Sequence, residues 1–421
     1  MNNEVAVVSA ARTPIGAYIG SLKEVPAYDL GAIVLNEAVN RAGIKPADVE
    51  FVVMAQAYQN GEYVNLARMS LLNAGWPVEI PGLTLDCRCC SGLEAISVAA
   101  NKILTGNAEI VVASGAEHMS SAEFYIPGYI KWGVGGKKDA KWGLMPRGHG
   151  SLELWGLPFH DRIQRARVMS QPISRFGELN SMMSWAETAA KQEHITRQEA
   201  DEWAVGSHKK AVAAIDSGKF AEEVVVVPIP QKKGDPVIMD VDETPRRDTS
   251  IEKLAKLGTV YPDGICTAGN SSSENDGAGA IVLMSVEKAK ELGVKPLGYL
   301  KSCMMAGADP TLTYPAVPAS ANKALAKAGL TVEQMEVIEI QEAFACQALA
   351  DARLMGLSDA DMRAKVNVNG SGISLGHPVG ATGIMRMTTL LYEMKRRNSK
   401  HGLATICGGG GQGITAIIER K

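Results

Sequence analysis

Short apolar segments alternate with amphipathic segments along most of this 421-residue chain. The apolar segments of the first part have the length of buried strands, and those between them have the 3.6-residue period of helices. The predicted strands are residues 5–8, 52–55, 82–86 and 110–113, and the predicted helices are residues 28–43 and 91–104. Because strands that alternate with helices form parallel βαβ units, we predict an α/β fold. The chain is longer than the ~250–300 residues at which one core stops growing, so we expect two or three domains.

Residues 120–249 interrupt this alternation and are rich in aromatic side chains, which make up only 5% of the whole chain. Two helices are predicted near residues 184–193 and 197–217. Thr196 and Glu199 have the spacing of a capping box at the start of the second helix. We interpret the block as an insertion in the alternating fold.

The alternation resumes after the insertion and repeats the order of the first part. Strands are predicted at residues 281–284, 335–340, 403–407 and 414–419, and helices at residues 319–328, 342–354 and 380–397. In each part a strand leads through a polar or reactive turn into a helix, which predicts a duplicated fold. We expect one half from residues 1–119 plus 250–285, an inserted domain from 120–249, and a second half from 286–421.

The overall charge and the cysteine count argue against several classes of protein. The net charge is −3, so the chain has no overall basic excess with which to bind a nucleic-acid backbone. No run approaches the ~20 apolar residues that span a bilayer, and Met1 to Arg12 do not resemble a secretory leader. Seven cysteines, an odd number in a long chain, favour reduced thiols and a cytoplasmic location.

Cys89 lies between a predicted strand and the helix that begins near Ser91. A thiol at a helix N-terminus is near the positive end of the helix dipole and near free N–H groups, so we expect a lowered pKa and a nucleophilic thiolate. The same turn offers backbone donors for an oxyanion. The alternative is that Cys89 is a small buried apolar residue. A metal site is not expected, because Cys87, Cys89 and Cys90 have no second, distant pair of ligands.

His377 follows the glycine-rich stretch of residues 370–376 and precedes Pro378. This composition predicts a tight turn just before the helix of residues 380–397. Histidine can accept and return a proton near neutral pH, so His377 is a candidate base for a thiol nucleophile. A purely structural histidine in a loop is the alternative.

Cys407 ends a predicted strand and is followed by the glycine-rich run of residues 408–413. Such a run lets the backbone approach a ligand closely and direct N–H groups at it. The alternative is a glycine hairpin that joins the last two strands. A dinucleotide site is not expected, because Gly408, Gly410 and Gly413 match G-x-G-x-x-G without a following helix or a later acidic residue.

Five segments, found in order between residues 5 and 420, resemble the motifs of the thiolases. They are Ser9-Ala10-Ala11-Arg12-Thr13-Pro14-Ile15-Gly16, Cys89-Cys90-Ser91-Gly92-Leu93-Glu94-Ala95-Ile96, Thr267-Ala268-Gly269-Asn270-Ser271-Ser272 with Asn275-Asp276-Gly277-Ala278, Gly376-His377-Pro378, and Cys407-x-Gly409-Gly410-x-x-Gly413. Each motif alone is a weak signal, whereas the ordered set is specific. The resemblance implies a thiolase-like duplicated α/β/α/β/α core, with an inserted loop domain that covers coenzyme A (CoA) and the acyl pocket.

The resemblance also implies a reversible Claisen exchange, with CoA as a substrate and no permanently bound cofactor. We expect thiolytic cleavage of a 3-oxoacyl-CoA, in which Cys89 carries the acyl group, His377 is the base and Cys407 protonates the enolate. The backbone N–H groups of Cys89 and Gly409 would bind the oxyanion, and the Gln341 amide would hold a water for the thioester oxygen. The residues matched to the CoA-binding block are Ser272, Ala268 and Gly269. A homodimer or a dimer of dimers is expected, with a small accessory subunit as an open alternative.

Several positions depart from the common thiolase pattern. Gln341 stands in Gln-Glu-Ala-Phe where the family usually has Asn, and Trp185 stands at the entry to a loop-domain helix. With Trp142 and Trp155 in a long loop, they indicate a bulky or aromatic acyl group, such as an aryl-substituted succinyl thioester. The alternatives are that the aromatic residues build the small core of the loop domain, that the enzyme is a biosynthetic acetyltransferase that forms acetoacetyl-CoA, or that the chain is a silent CoA-binding scaffold.

Overall fold

The computed structural model describes residues 4–127, 151–154, 157–177 and 182–421. Trp142 and Trp155, on which part of the bulky-substrate prediction depends, lie outside these residues. Within the described residues, ten strands form one large mixed sheet, and two smaller sheets lie apart from it.

The strands and helices follow each other along the chain in the alternating order expected of an α/β protein. The strands are β1 (Val5–Arg12), β2 (Gly16–Ala17), β3 (Phe51–Ala55), β4 (Gly82–Leu85), β5 (Ile110–His118), β6 (Phe124–Tyr125), β7 (Ser151–Leu154), β8 (Leu157–Asp161), β9 (Val227–Ile229), β10 (Val237–Met239), β11 (Asn275–Ser285), β12 (Gly298–Gly307), β13 (Val337–Ile340), β14 (His401–Gly408) and β15 (Gln412–Glu419). The helices are α1 (Ala27–Ala42), α2 (Leu66–Asn73), α3 (Ser91–Leu104), α4 (Arg162–Val168), α5 (Ile173–Phe176), α6 (Met182–Gln192), α7 (Arg197–Asp216), α8 (Ile251–Leu254), α9 (Val286–Glu291), α10 (Ala316–Ala328), α11 (Ala345–Leu354), α12 (Asp359–Lys365), α13 (Gly372–Leu375) and α14 (Thr382–Arg397).

The predicted strands and helices are present, although several have different limits. β1, β5 and β11 run beyond the apolar segments that predict them, because the Ser, Gly and Ala residues of the extensions still pair in the sheet. The helix expected from residue 342 begins at Ala345, since Phe344 is still extended, with φ −144° and ψ 147°. β12 has no counterpart in the prediction, because its mixture of Lys, Ser, Gly and apolar residues lacks a clean alternation.

The large sheet contains the same strand arrangement twice. Its order is β13-β14-β15-β12-β1-β11-β5-β3-β4. In the first repeat, β3 pairs in parallel with β5, β5 pairs antiparallel with β11, and β11 pairs antiparallel with β1. In the second repeat, β13, β14, β15 and β12 pair in the same succession and the same directions. β1 and β12 pair antiparallel and join the two repeats, so the predicted duplication is confirmed.

The helices and the two repeats of the sheet form five layers. α1 and α2 pack on the outer face of the first repeat, in a core that includes Leu30, Val34 and Met54. α3 and α14 share a central core with β3, β5, β14 and β15, and α10 and α11 pack on the outer face of the second repeat. Each buried Leu, Val or Met stabilises these layers by about 1.5–3 kcal/mol. The α/β/α/β/α prediction is confirmed, and its middle layer consists of α3 and α14.

The residues predicted as an insertion form α4 to α7 and two small sheets. α6 packs against α11, and α7 packs against α11 and α13, so both helices lie on the second repeat. The predicted capping box is present: the Glu199 N–H donates to Thr196 Oγ1 at 3.2 Å, and the Thr196 N–H donates to Glu199 Oε2 at 2.7 Å. The limits of this domain at residues 120 and 249 stay predictions. None of the described helices is long and apolar enough to cross a membrane.

Candidate active site

The two central helices begin side by side, and each follows a turn that carries a predicted catalytic residue. α3 begins at Ser91 and α14 begins at Thr382. The helices touch at Gly92 and Gly383, where a Cβ on Gly92 would lie 2.7 Å from the Gly383 backbone. Only glycine permits this approach. The contact therefore brings the turn before α3 next to the turn before α14.

Cys89 lies in a tight turn between β4 and α3. Arg88, the residue before it, has a left-handed backbone (φ 57°), which costs a side-chain-bearing residue of order 1 kcal/mol. The Ser91 hydroxyl fastens the turn, because it accepts the Cys87 N–H at 2.7 Å and donates to the Arg88 carbonyl at 2.5 Å. This geometry leaves Cys89 partly exposed, next to the N-cap residue Cys90.

The backbone of His377 is fixed by a hydrogen bond to Asn275, a residue of another motif. Its N–H donates to Asn275 Oδ1 at 2.8 Å, and the Asn275 amide donates in turn to the Gly16 carbonyl at 2.9 Å. Gly376 has φ 97°, and a Cβ at this position would collide with the Asn275 amide. The Asn-Asp-Gly-Ala motif therefore positions the turn that carries His377.

Cys89 and His377 are in direct contact, with 3.2 Å between Sγ and Nε2. On the other side of the ring, Nδ1 lies 2.7 Å from Thr382 Oγ1. The Thr382 hydroxyl donates its single hydrogen bond to the Pro378 carbonyl at 2.9 Å, so Oγ1 accepts a hydrogen bond from the Nδ1–H group. This assigns the proton of neutral His377 to Nδ1 and leaves the Nε2 lone pair facing the thiol.

Burial keeps this pair uncharged at neutral pH. Removal from water raises the pKa of Cys89 to about 11, although the charge of Arg88 and two backbone N–H groups act to lower it. Burial, with the charges of Arg386 and Arg167, lowers the pKa of His377 to about 3. The prediction of a lowered Cys89 pKa is therefore wrong, because desolvation outweighs the helix N-terminus.

The glycine turn between β14 and β15 completes the site. Cys407 is buried near the end of β14, and this burial, with the nearby Asp351 and Cys89, raises the pKa of its thiol. The backbone N–H groups of Gly409 and of Cys89 itself act to lower the pKa of the Cys89 thiol. A Cβ on Gly409 would lie only 2.8 Å from Met182 Cε. The run is a hairpin turn, and it also brings a backbone donor to the nucleophile.

Gln341 is fully buried directly after β13, and neither atom of its amide has a hydrogen-bond partner among the described residues. The amide lies against Gly372, in the turn that leads to His377. A buried amide without a partner costs about 1–3 kcal/mol. The position therefore suits a water or a substrate atom, and the predicted role of Gln341 stays a prediction.

The residues matched to the CoA-binding block lie on a surface loop that contacts the Gln-Glu-Ala-Phe segment. The Ser272 N–H donates to the Ala343 carbonyl at 2.9 Å. Ala268 is exposed, and Gly269 lies so close to Leu254 that a Cβ there would clash with its methyl group. The loop borders the site and leaves Ala268 open to a ligand. Binding of CoA by these residues stays a prediction.

Glu117 is a fully buried carboxylate that joins two loops around the site, and the sequence does not predict it. Its oxygens accept the N–H groups of Ala57 at 2.8 Å, Tyr58 at 3.2 Å and Gly380 at 2.8 Å. Burial raises the pKa of Glu117 to about 7 despite these three donors. The one signal in the sequence is an acidic residue at the end of an apolar strand, where acids are rarely buried without a partner.

Trp185 lies in the core of the molecule. Its ring packs edge-on against Phe344, with 5.4 Å between the centroids, and its indole N–H donates to Met182 Sδ at 3.4 Å. The side chain is buried in the core shared by α6, α10 and α11. This packing favours the alternative in which the aromatic residue builds a core.

All seven cysteines are free thiols. No group of three or more His, Cys, Asp or Glu side chains within the described part of the chain could hold a metal ion. Cys87, Cys89 and Cys90 are therefore three free thiols in the turn that precedes α3.

Comparisons with known proteins agree with this fold. The family description "Thiolase, N-terminal domain" matches residues 5–287, and "Thiolase, C-terminal domain" matches residues 294–420. The chain is 43% identical over 420 residues to an acetyl-CoA acetyltransferase of Cupriavidus necator, which covers 99% of this chain and 100% of the relative. It is 40% identical over 417 residues to a beta-ketoadipyl-CoA thiolase of Acinetobacter baylyi, with 98% of each covered.

A solved structure shows the same architecture. The acetyl-CoA acetyltransferase of Bacillus anthracis superposes with a TM-score of 0.88 at 37% identity, over 99% of this chain and 98% of the other. The chain belongs to the thiolase family, and it is an acyltransferase that uses CoA as a substrate without a permanently bound cofactor.

Proposed function

We propose that this enzyme cleaves a 3-oxoacyl-CoA by thiolysis, through an acyl group carried on Cys89. The observation that supports this most strongly is the 3.2 Å contact between the Cys89 sulfur and the unprotonated Nε2 of His377. A nucleophile in contact with an oriented base is the arrangement that covalent acyl transfer requires.

In the first half of the reaction, the Cys89 proton moves to His377 Nε2 as the sulfur attacks the C3 carbonyl of the substrate. The N–H groups of Cys89 and Gly409, which also act to lower the pKa of the Cys89 thiol, stabilise the oxyanion. The C2–C3 bond then breaks and leaves the acyl group on Cys89. Cys407 donates its proton to C2 of the departing enolate, which forms the first acyl-CoA product.

The second half returns the enzyme to its starting state. The proton on His377 passes to the Cys407 thiolate, and His377 then accepts the thiol proton of CoA. The CoA thiolate attacks the thioester on Cys89 and takes the acyl group. Cys89 leaves as a thiolate and recovers its proton from His377. All protons balance, and no further cofactor is needed.

The thioester oxygen of the substrate also gains negative charge during C–C cleavage. We assign its donors to His377 and to a water held by the Gln341 amide, which is buried and has no partner among the described residues. Glutamine is one methylene longer than the asparagine common in thiolases. The position of that water therefore differs, and this difference acts on substrate choice.

The size of the acyl group distinguishes two candidate substrates. The bulky or aromatic substrate, such as an aryl-substituted succinyl thioester, depends on Gln341 and Trp185, and the burial of Trp185 against Phe344 removes one of these arguments. Two relatives carry names that specify small or dicarboxylic acyl groups, acetyl and beta-ketoadipyl. The first name favours the second candidate, in which the same residues form acetoacetyl-CoA from two acetyl-CoA molecules.

Steady-state kinetics separate the candidates. We would measure kcat/KM for CoA-dependent cleavage of acetoacetyl-CoA, of longer 3-oxoacyl-CoAs and of aryl-substituted ones. Cleavage of any of them supports the proposed reaction, and a high value for acetoacetyl-CoA alone contradicts a bulky acyl group. A chain that cleaves none and forms no acyl adduct on Cys89 is the silent scaffold.

The proposal includes a homodimer or dimer of dimers in the cytoplasm. β4 is an edge strand of the large sheet, and exposed apolar side chains lie around it, namely Val64, Met69, Leu72, Val78 and Leu83. An edge strand with an apolar border favours pairing with a second copy. Light scattering of the purified chain tests this. A monomer would contradict it, and co-purification of a small second chain would indicate an accessory subunit.

A further inference from the structure

Arg88 places a positive charge beside the nucleophile, and the proposed reaction gives this charge no role. It precedes Cys89 directly, is partly buried, and acts on the pKa of both Cys89 and Tyr58. Tyr58 lies in the same cluster as Cys89. No hydrogen bond or ion pair joins the Arg88 side chain to another described residue. Arg88 has a left-handed backbone (φ 57°) in the same tight turn as Cys89.

Arg167 supplies a second guanidinium near the reacting pair. It lies on α4, whose Ile163 and Ala166 share a cluster with Tyr58 and Cys89. Its Nη2 donates to Glu274 at 2.6 Å, and Glu274 forms a backbone bridge with His377. Arg167 therefore lies near His377, while Arg88 lies next to Cys89.

The acidic residues around these arginines do not neutralise Arg88. Asp86 accepts the backbone N–H of Arg88 at 2.7 Å, and among the described residues it has no ion pair with the side chain. Glu117 is turned to three backbone N–H groups. Glu274 is paired with Arg167. The charge of Arg88 therefore acts on Cys89 from a side chain that has no ion-pair partner among the described residues, although Asp86 acts in the opposite direction.

We infer that Arg88 and Arg167 form a carboxylate-recognition subsite, and that the 3-oxoacyl part of the substrate carries a free carboxylate close to the reacting carbons. The inference rests on the proposed function, because it places C3 of the substrate at Cys89. A carboxylate fits a guanidinium through two parallel hydrogen bonds. A neutral acyl group would displace water from the guanidinium without offering it a hydrogen-bond acceptor, and this desolvation costs free energy.

The anion that meets Arg88 belongs to the acyl group. CoA reaches Cys89 with its thiol end, and its phosphates lie at the opposite end of the pantetheine arm. They are too remote to pair with the residue directly before the nucleophile. Two kinds of substrate supply the anion: one with a carboxylate at the end of the acyl chain that Cys89 carries, and one with a carboxymethyl branch at C2, which leaves with CoA.

The test compares matched pairs of substrates on the full-length enzyme. One pair is 3-oxoadipyl-CoA with 3-oxohexanoyl-CoA, and the other is an acyl-substituted succinyl-CoA with its 2-ethyl counterpart. Each pair differs only by a methyl group in place of the carboxylate. We expect wild type to prefer the carboxylated member of at least one pair in kcat/KM, and the responding pair shows where the carboxylate lies.

Variants then assign the preference to the two arginines. Arg88→Leu should reduce the ratio of charged to neutral kcat/KM by about 10- to 100-fold, the effect of losing a charged hydrogen bond. Arg167→Gln should reduce it less, since Arg167 already has an acidic partner, and Arg88→Lys should retain part of it. Because the readout is a ratio, general effects on the nucleophile cancel. Arg162→Gln is the matched control on α4, where Arg162 pairs with Glu123 at 3.3 Å, and it should leave the ratio unchanged.

Two kinds of result overturn the inference, and they are distinguishable. Equal cleavage of charged and neutral substrates by wild type, or a preference that survives Arg88→Leu and Arg167→Gln, overturns the subsite but leaves the proposed thiolysis intact. Absence of cleavage of both pairs while acetoacetyl-CoA or an aryl-substituted 3-oxoacyl-CoA is cleaved also overturns the subsite alone, whereas absence of cleavage of all these substrates overturns the proposed function, and the subsite with it.

Discussion

The two repeats of the sheet place a reactive turn at the same point in their topology, but they surround it differently. In the first repeat, the turn before α3 carries Cys89, which is partly exposed next to an arginine in a left-handed conformation. In the second, the turn before α14 carries His377, which is buried between Asn275 and Thr382. The Cys89 turn is partly open to solvent, whereas His377 is buried and uncharged at neutral pH.

In the proposed mechanism, the two repeats of the duplicated fold supply different catalytic groups, Cys89 and His377. Duplication puts two helix N-termini side by side in the middle layer, and the glycine contact between α3 and α14 sets their distance. In the proposed mechanism, the turn before α3 supplies the attacking sulfur, and the turn before α14 supplies the ring that moves protons. Neither repeat alone contains the pair.

The largest effect is expected from the first repeat. Cys89→Ser replaces the thiol by a much less acidic hydroxyl, so kcat for thiolysis should fall by about 10³-fold or more. Binding of CoA, measured by calorimetry, should survive, because the matched CoA residues lie on another loop. Turnover like that of wild type would refute the assignment of the nucleophile.

The base in the second repeat should matter somewhat less. His377→Gln removes the proton acceptor while it keeps a polar side chain, and kcat/KM should fall by about 10²–10⁴-fold. Thr382→Val is a graded companion, because it removes only the partner of Nδ1 and should cost far less. If Thr382→Val were as damaging as His377→Gln, the assigned tautomer would be wrong.

The protonation state of the pair can be measured without substrate. Because the Cys89 pKa is raised to about 11, its alkylation by iodoacetamide should accelerate about 100-fold between pH 7 and pH 9, in proportion to the thiolate. Labelling is followed by peptide mass spectrometry, with buried Cys266 as the control for an intact fold. A rate that is already constant between pH 6 and pH 8 would reveal a thiolate–imidazolium pair instead.

The smallest effect concerns the residue that links the loops around both turns. Glu117→Gln places an amide NH₂ opposite backbone N–H groups, so at least one of three hydrogen bonds is lost, which should lower the free energy of unfolding by about 1–3 kcal/mol. Thermal melting at neutral pH checks this. Glu94→Gln is the control, since burial raises the pKa of Glu94 and no described residue hydrogen-bonds its carboxylate, so it should not lower the melting temperature.

The sequence predicts the fold and the pair of Cys89 and His377 well, because both depend on local signals. Apolar periodicity marks α3 and α14, and glycine-rich or cysteine-rich turns mark Cys89, His377 and Cys407. Strand ends are harder to predict, since the Ser-Gly-Ala-Glu extension of β5 is held by its neighbours in the sheet rather than by its own pattern.

The properties that depend on distant residues could not be read from the sequence. The pKa of Cys89 is set by burial among residues from both repeats, so a local argument from the helix dipole gives the wrong direction. Glu117 acts through N–H groups 59 to 263 positions away. The unpaired amide of Gln341 appears only once Gly372 is seen to lie against it.

Mass spectrometry of the acyl-enzyme tests the central claim most directly. The enzyme is mixed with a 3-oxoacyl-CoA in the absence of free CoA, quenched in acid and digested with trypsin, which cuts after Arg88 and separates Cys87 from Cys89. The account predicts a single acyl adduct on Cys89 that disappears when CoA is added. An adduct on Cys87, Cys90 or Cys407 instead, or turnover without any adduct, would contradict it.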